Sequence, residues 1–224
     1  MPNGWRDTFQ GRIIFHSLHK GTPLTYQGRY LEHVTDDGLQ RYALHPYTLQ
    51  WDLIEGRATR DQAWVRVAPF DELHPERGTK LWDPAKYKTA SNSFRHLMGW
   101  DAAIEKADAM DFRYCVLTEG PLDAARPGPG GIALIGKSIS AANAIMLVEN
   151  FQLIITAFDS DTAGVDASKK IQEQLLQHKS RKAIVVAVEP FTITPGKKDI
   201  GEMLQPDFDN KLARMLRRFK RMYT

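Results

Sequence analysis

Residues 112–161 read FRYCVLTEGPLDAARPGPGGIALIGKSISAANAIMLVENFQLIITAFDSD, and their texture decides the fold. FRYCVLTEG is an apolar run ending in an acid, GIALIG is a second run, and QLIITAFDSD is a third that again ends in acids. AIVVAVEP at 183–190 is a fourth. Helical stretches separate them, SAANAIMLVEN at 140–150 and AGVDASKKIQEQLLQHK at 163–179. Nearly continuous apolar strands alternating with helices predict a parallel sheet with both faces covered. In such sheets, function gathers at the carboxyl ends of the strands.

Acids stand at two of those ends. Glu119 follows the first strand, and Asp159 and Asp161 follow the third, with Ser160 between them. Asp199, in PGKKDIGEM, lies just beyond the fourth strand. Three segments can thus bring carboxylates to one sheet edge. Hard oxygen donors without Cys or His suit Mg²⁺ or Mn²⁺ rather than zinc. Two such ions about 3.5–4 Å apart can activate a 3′-hydroxyl and stabilise a leaving pyrophosphate. The plainer reading is that strand-end acids cap the following helices, and Asp161, just before Thr162-Ala163-Gly164, suits that role too. Asp123 is expected to pair with Arg126 on the helix after Glu119. Residues 131–138, GIALIGKS, match the phosphate-loop pattern GxxxxGK[ST], but their variable positions are themselves a strand, which argues against that reading. Lys137 instead falls at a strand's carboxyl end beside the acids, where it either holds a nucleotide phosphate or is solvated.

The amino-terminal half differs. GRIIFHSL, TPLTYQGRYL, RYALHPYTLQWDLI and AWVRVAPF are short β-type runs punctuated by glycines, a pattern of twisted antiparallel strands. WDAAIEKADAM at 100–110 predicts a helix with Asp101 as its N-cap. The expected division is a β-rich subdomain over 1–110, an α/β catalytic domain over 111–208 and a basic amphipathic tail helix over 209–224. The last sixteen residues carry six basic groups against one acid, although the whole chain of 224 residues has a net charge of only +3. In that tail Leu212, Met215, Leu216, Phe219 and Met222 fall on one helical face. The tail is either a surface helix with a solvated basic side or a contact for nucleic acid or a partner. The single cysteine, Cys115, excludes an internal disulfide and a CxxC zinc site. No apolar run approaches the ~20 residues that span a bilayer, and the start has no signal-peptide core. A cytoplasmic setting without membrane contact is expected.

The motifs together resemble a known family. VLTEGPLDAAR resembles the glutamate signature of the Toprim domain, and AFDSDTAGVDASKK its DxD signature. KKDIGEML is similar to the later lysine–aspartate segment of primases, and GIALIGKSISAANAIML to the primase stretch between glutamate and DxD. FQGRIIFHSLHKGTPLTYQGRYL and KYKTASNSFRHLMGWDAA resemble amino-terminal segments of bacterial and phage primases. The sequence departs from that pattern at His16, where the family usually has proline, and at Ser91-Asn92-Ser93, which comes three residues late.

The resemblance implies a primase catalytic core, a Toprim domain of Rossmann-like parallel sheet and flanking helices preceded by a β-rich α+β subdomain, without the zinc-binding and helicase parts. A phage or plasmid minimal primase or a piece of a longer protein fits equally. It implies template-directed synthesis of short RNA primers from ribonucleoside triphosphates on single-stranded DNA, with a replicative helicase as a further partner. Glu119, Asp159 and Asp161 would be catalytic and, with Asp199, would hold two Mg²⁺ or Mn²⁺ ions. Arg12, Arg29, Lys86, Lys137 and Lys198 would bind nucleic acid and nucleotide. A Toprim nuclease and a non-catalytic DNA- or helicase-binding accessory protein remain as alternatives.

Overall fold

The computed structural model describes residues 12–30, 32–34, 40–44, 51–56, 65–66, 87–89, 96–178 and 187–223. Strands β1 (Arg12–His19) and β2 (Thr22–Tyr30) form a hairpin closed by Lys20 and Gly21, with φ of 50° and 76°. Two positive φ values in a two-residue loop match the right-handed twist of the flanking strands. Further strands are β3 (Glu32–Val34), β4 (Gln40–Leu44), β5 (Trp51–Gly56), β6 (Val65–Arg66) and β7 (Tyr87–Thr89). They build an antiparallel sheet of order β3-β4-β5-β6 and a three-stranded sheet of order β1-β2-β7. The antiparallel β texture read from the amino-terminal half is therefore present.

The chain divides into two compact units, one of Met1–Phe15 with Gln27–Thr89, the other of His16–Tyr26 with Ala90–Thr224. In the second unit the hairpin tip is tied to helix α1 (Trp100–Asp108). Ser17 Oγ donates to the Leu97 carbonyl at 3.3 Å, and the Gly21 N–H donates to Asp101 at 3.1 Å. Asp101 is thus not the expected cap. Gly99 occupies the N-cap with φ 87°, and a Cβ there would lie 2.4 Å from the Gly131 carbonyl oxygen. Only glycine meets both conditions.

The remaining elements alternate as their texture predicts: β8 (Tyr114–Thr118), α2 (Pro121–Ala125), β9 (Gly131–Ala133), α3 (Ala141–Asn150), β10 (Leu153–Thr156), α4 (Thr162–Gln177), β11 (Ala187–Pro190) and α5 (Gln205–Tyr223). The sheet is parallel with order β11-β10-β8-β9, and Leu153 stands beside Tyr114 and Ala187. Side chains alternate across it. Cys115, Leu117, Ile132 and Ile154 join one buried cluster with Trp100, Leu147, Phe151 and Ile171 from the helices. Tyr114, Val116, Leu153 and Ile155 join a second with Phe191, Ile200, Phe208, Leu212 and Phe219. This two-sided burial is why the strands read as unbroken apolar runs. Each such side chain contributes about 1.5–3 kcal/mol. The tail helix therefore docks its apolar face on this sheet. Cys115 is fully buried, which pushes its thiol pKa up and keeps it unreactive.

Candidate active site

Four loops converge at the carboxyl edge of the parallel sheet. Glu119 follows β8, Lys137 follows β9, Asp159 and Asp161 follow β10, and Lys198 and Asp199 follow β11. Lys137 Nζ lies 3.5 Å from Glu119 Oε2, and Lys198 Nζ lies 3.2 Å from Asp159 Oδ2. The two acids are largely buried, with side chains 15% and 18% exposed. Burial and then the negative charge of Asp159 raise the Glu119 pKa, while Lys137 and the Asp159 backbone N–H oppose the rise. Glu119 Oε1 is buried with no hydrogen-bond partner. A buried carboxylate oxygen without a donor is costly unless a proton or cation reaches it.

Asp161 is arranged differently. Its Oδ1 accepts the Gly164 N–H at 2.7 Å and caps α4. That bond, with the charges of Lys137 and Lys198, holds its carboxyl below the ordinary range. A Cβ on Gly164 would stand 2.2 Å from the Asp159 carbonyl oxygen, so glycine lets the helix start directly against the acid-bearing loop. The capping role read from sequence is thus real for Asp161.

Asp199 accepts the Glu202 N–H at 2.9 Å while Glu202 Oε2 accepts the Lys198 N–H at 2.8 Å. This reciprocal pair has the logic of a capping box and fixes the turn that carries Lys198. A Cβ on Gly201 would lie 2.9 Å from Asp123 Oδ1 and 3.0 Å from Asp199 Oδ1, so these two acids flank one point. Lys198 is tied to Asp159 first by hydrogen bonding and then by charge, and both raise its pKa.

Two residues position these loops through main-chain contacts that the sequence does not announce. The Ser160 N–H donates to the Lys198 carbonyl at 2.7 Å and its hydroxyl to the Lys197 carbonyl at 3.0 Å, which latches the loop after β10 to the loop after β11. Arg126 donates to the carbonyls of Ile200, Gly201 and Met203 and so fixes the segment just beyond Asp199. On the β9 side, the Gly136 N–H donates to the Glu119 carbonyl at 3.1 Å. Ile135 before it has φ 58°, a strained conformation for a β-branched residue.

Arg12 and Arg29 belong to the other compact unit. Arg12 Nη1 approaches the Gly28 carbonyl at 3.4 Å, and Arg29 lies on β2 opposite Tyr87. Lys86 lies outside the described residues.

The donor set fits Mg²⁺ or Mn²⁺ in kind: hard oxygens, one of them buried and unpartnered. Among the described residues no three acidic, histidine or cysteine side chains gather closely enough to enclose an ion by themselves. Mg²⁺ is commonly held by one or two carboxylates, with water and substrate phosphates completing the shell, so the Glu119–Asp159 pair is compatible with it. Among the described residues no helix is long and apolar enough to cross a membrane.

Comparison with known proteins adds the relationship. A Toprim-like family model matches residues 116–204. The structure resembles that of the Aquifex aeolicus primase zinc-binding and RNA polymerase domains, with 17% identity, a TM-score of 0.60, and coverage of 97% of this chain and 42% of that one. It also resembles the E. coli primase catalytic core, at 16% identity and TM-score 0.60, covering 96% of this chain and 56% of that one. A DnaG primase catalytic domain bound to ssDNA matches at 16% identity and TM-score 0.58, covering 92% and 52%. The chain thus spans about half the length of these proteins. No curated protein sequence matches it significantly. Residues 116–204, which hold every acid of the candidate site, are a Toprim-like domain, and the chain has the fold of bacterial primase catalytic cores.

Proposed function

We propose that the chain is a primase catalytic core that makes short RNA primers from ribonucleoside triphosphates on single-stranded DNA. The observation that carries this reading is the meeting of Glu119 and Asp159, each beside a lysine, at the carboxyl edge of a sheet with the primase-core fold. Glu119, Asp159 and Asp161, with Asp199, would hold Mg²⁺ or Mn²⁺. When bound, the ion supplies charge stabilisation to the reacting phosphate and a more acidic 3′-hydroxyl. Glu119 Oε1, buried and without a donor, suits either metal ligation or taking up the 3′-hydroxyl proton. Lys137 and Lys198 would steady the triphosphate by charge-assisted contacts. Arg12, Arg29 and Lys86 would hold template and nucleotide in the amino-terminal half. A replicative helicase is the expected further partner, in a bacterial or phage-infected cytoplasm.

The test is primer synthesis from labelled ribonucleotides on single-stranded DNA with Mg²⁺ or Mn²⁺, with Asp159→Asn as the control. Template-dependent products from the native protein alone support the reading. Metal-dependent cleavage without synthesis would replace it by a nuclease, and neither activity by an accessory role.

A further inference from the structure

Lys137 and Lys198 come from different loops, and each ends on a different carboxylate. Both ammonium-bearing chains are about half exposed, at 44% and 55%, whereas their acids are mostly buried. Two adjacent carboxylates in a partly desolvated edge need positive charge close by. The two ammonium groups bring the same formal charge as one divalent ion.

We propose that Lys137 and Lys198 are stand-in counterions, which hold Glu119 and Asp159 until a divalent ion displaces them and which then turn to the phosphates of the incoming nucleotide. The inference rests on the primase reading and adds a coupling between metal entry and phosphate capture. The backbones on either side are fixed, through the Gly136–Glu119 bond and through the bonds of Lys198 to Ser160 and Glu202. Only the side-chain tips need to move. Lysine suits this use, because its ammonium is a point charge on a flexible stem without the fixed fork of arginine. Half-exposed pairs are individually weak, so release costs little.

The experiment titrates Mn²⁺ into the full chain without nucleotide or DNA, by electron paramagnetic resonance and calorimetry, with circular dichroism checking each fold. The double variant Lys137→Met/Lys198→Met should bind Mn²⁺ about tenfold more tightly than the native protein. That is the order expected when a divalent ion is relieved of two ammonium groups roughly 10 Å away in a water-like dielectric, about threefold for each. The charge-keeping double variant Lys137→Arg/Lys198→Arg should stay within about twofold of native. Equal or weaker binding by the methionine variant, or equal tightening by the arginine variant, would overturn the proposal. If the methionine double variant does not fold, each single methionine variant must tighten binding about threefold, and failure to do so is equally fatal. Asp159→Asn separates the two levels. If native protein has no Mn²⁺ site that this change removes, the metal reading itself falls, and the inference with it.

Discussion

Two residues separate Val116, fully buried beneath α5, from Glu119, whose Oε1 is buried without a partner. The face under α5 is closed: Val116, Ile155, Phe208 and Phe219 pack in one apolar cluster. The carboxyl edge is built the other way, with close acids, a strained Ile135 and lysines on flexible stems. A fold keeps such an edge only when packing elsewhere offsets its cost. The two regions therefore respond differently to mutation, one through activity and the other through stability.

The largest expected effect is at Asp159. Asp159→Asn should lower primer synthesis roughly a thousandfold or more, the scale of several kcal/mol lost from transition-state stabilisation. The isostere fits the same space and removes a charge that faces Glu119, so the melting temperature should stay nearly unchanged. Loss of the cooperative melt would instead give Asp159 a structural role like that of the residues under α5.

Phe208→Ala is the mirror experiment. Phe208 is fully buried at the start of α5 and stacks on Phe191 with ring centroids 5.1 Å apart. Truncation should cost about 3–5 kcal/mol, read by denaturant unfolding. Activity per folded molecule should be retained well below the lowered melting point. A cost under about 1 kcal/mol would mean that α5 contributes little to the domain.

Much of this division was legible in the sequence. The strands announced themselves because burial on both faces leaves little room for polar residues, and the acids at 119, 159 and 161 stood out because each ends an apolar run. Of the tail's apolar positions, Leu212, Met215, Leu216 and Phe219 pack, whereas Met222 stays 65% exposed near the end of the helix. What stayed hidden are contacts to main chain. Ser160 bonds two lysine carbonyls across 37 positions of sequence, and Arg126 reaches carbonyls more than seventy positions away. Such bonds have no periodicity and no preferred residue partner. Gly99 replaced Asp101 as cap for a similar reason, since the close approach of Gly131 is a tertiary fact.

Within the edge itself, pH distinguishes Glu119 from Asp161. Burial raises the Glu119 pKa, so the metal-free native state holds this proton more tightly than the unfolded chain. Its stabilising contribution is complete below the unfolded pKa, about 4.3, and is lost as pH rises through the folded value. In EDTA, Glu119→Gln should therefore melt above the native protein at pH 7 and level with it near pH 4. Asp161 has the opposite sign: its contribution is present at neutral pH and lost on acidification, because the Gly164 N–H favours its charged form. Melting curves of both Glu119→Gln and Asp161→Asn across pH 3–8 check the pair. Parallel profiles for the two variants would show that the edge is electrostatically uniform.

The smallest effect is expected on the outer side of α5. Arg218 Nη2 lies 2.7 Å from Glu189 Oε2, which joins the helix to β11, but the two side chains are 59% and 36% exposed. Exposed pairs of this kind contribute about 0–1 kcal/mol, since solvent screens them and ordering two long side chains opposes them. The helix is already held by Phe208, Leu212 and Phe219. Arg218→Ala should therefore leave the melting temperature almost unchanged, with any small loss vanishing in high salt. The same variant reads the tail's basic charge. If Arg218 also touches a phosphate, the salt slope of single-strand binding should shrink by about 0.7 for that one contact. With its guanidinium engaged on Glu189, the expected slope is unchanged. A loss of about 0.7 would put this face of α5 on nucleic acid and give the closed region a share in binding.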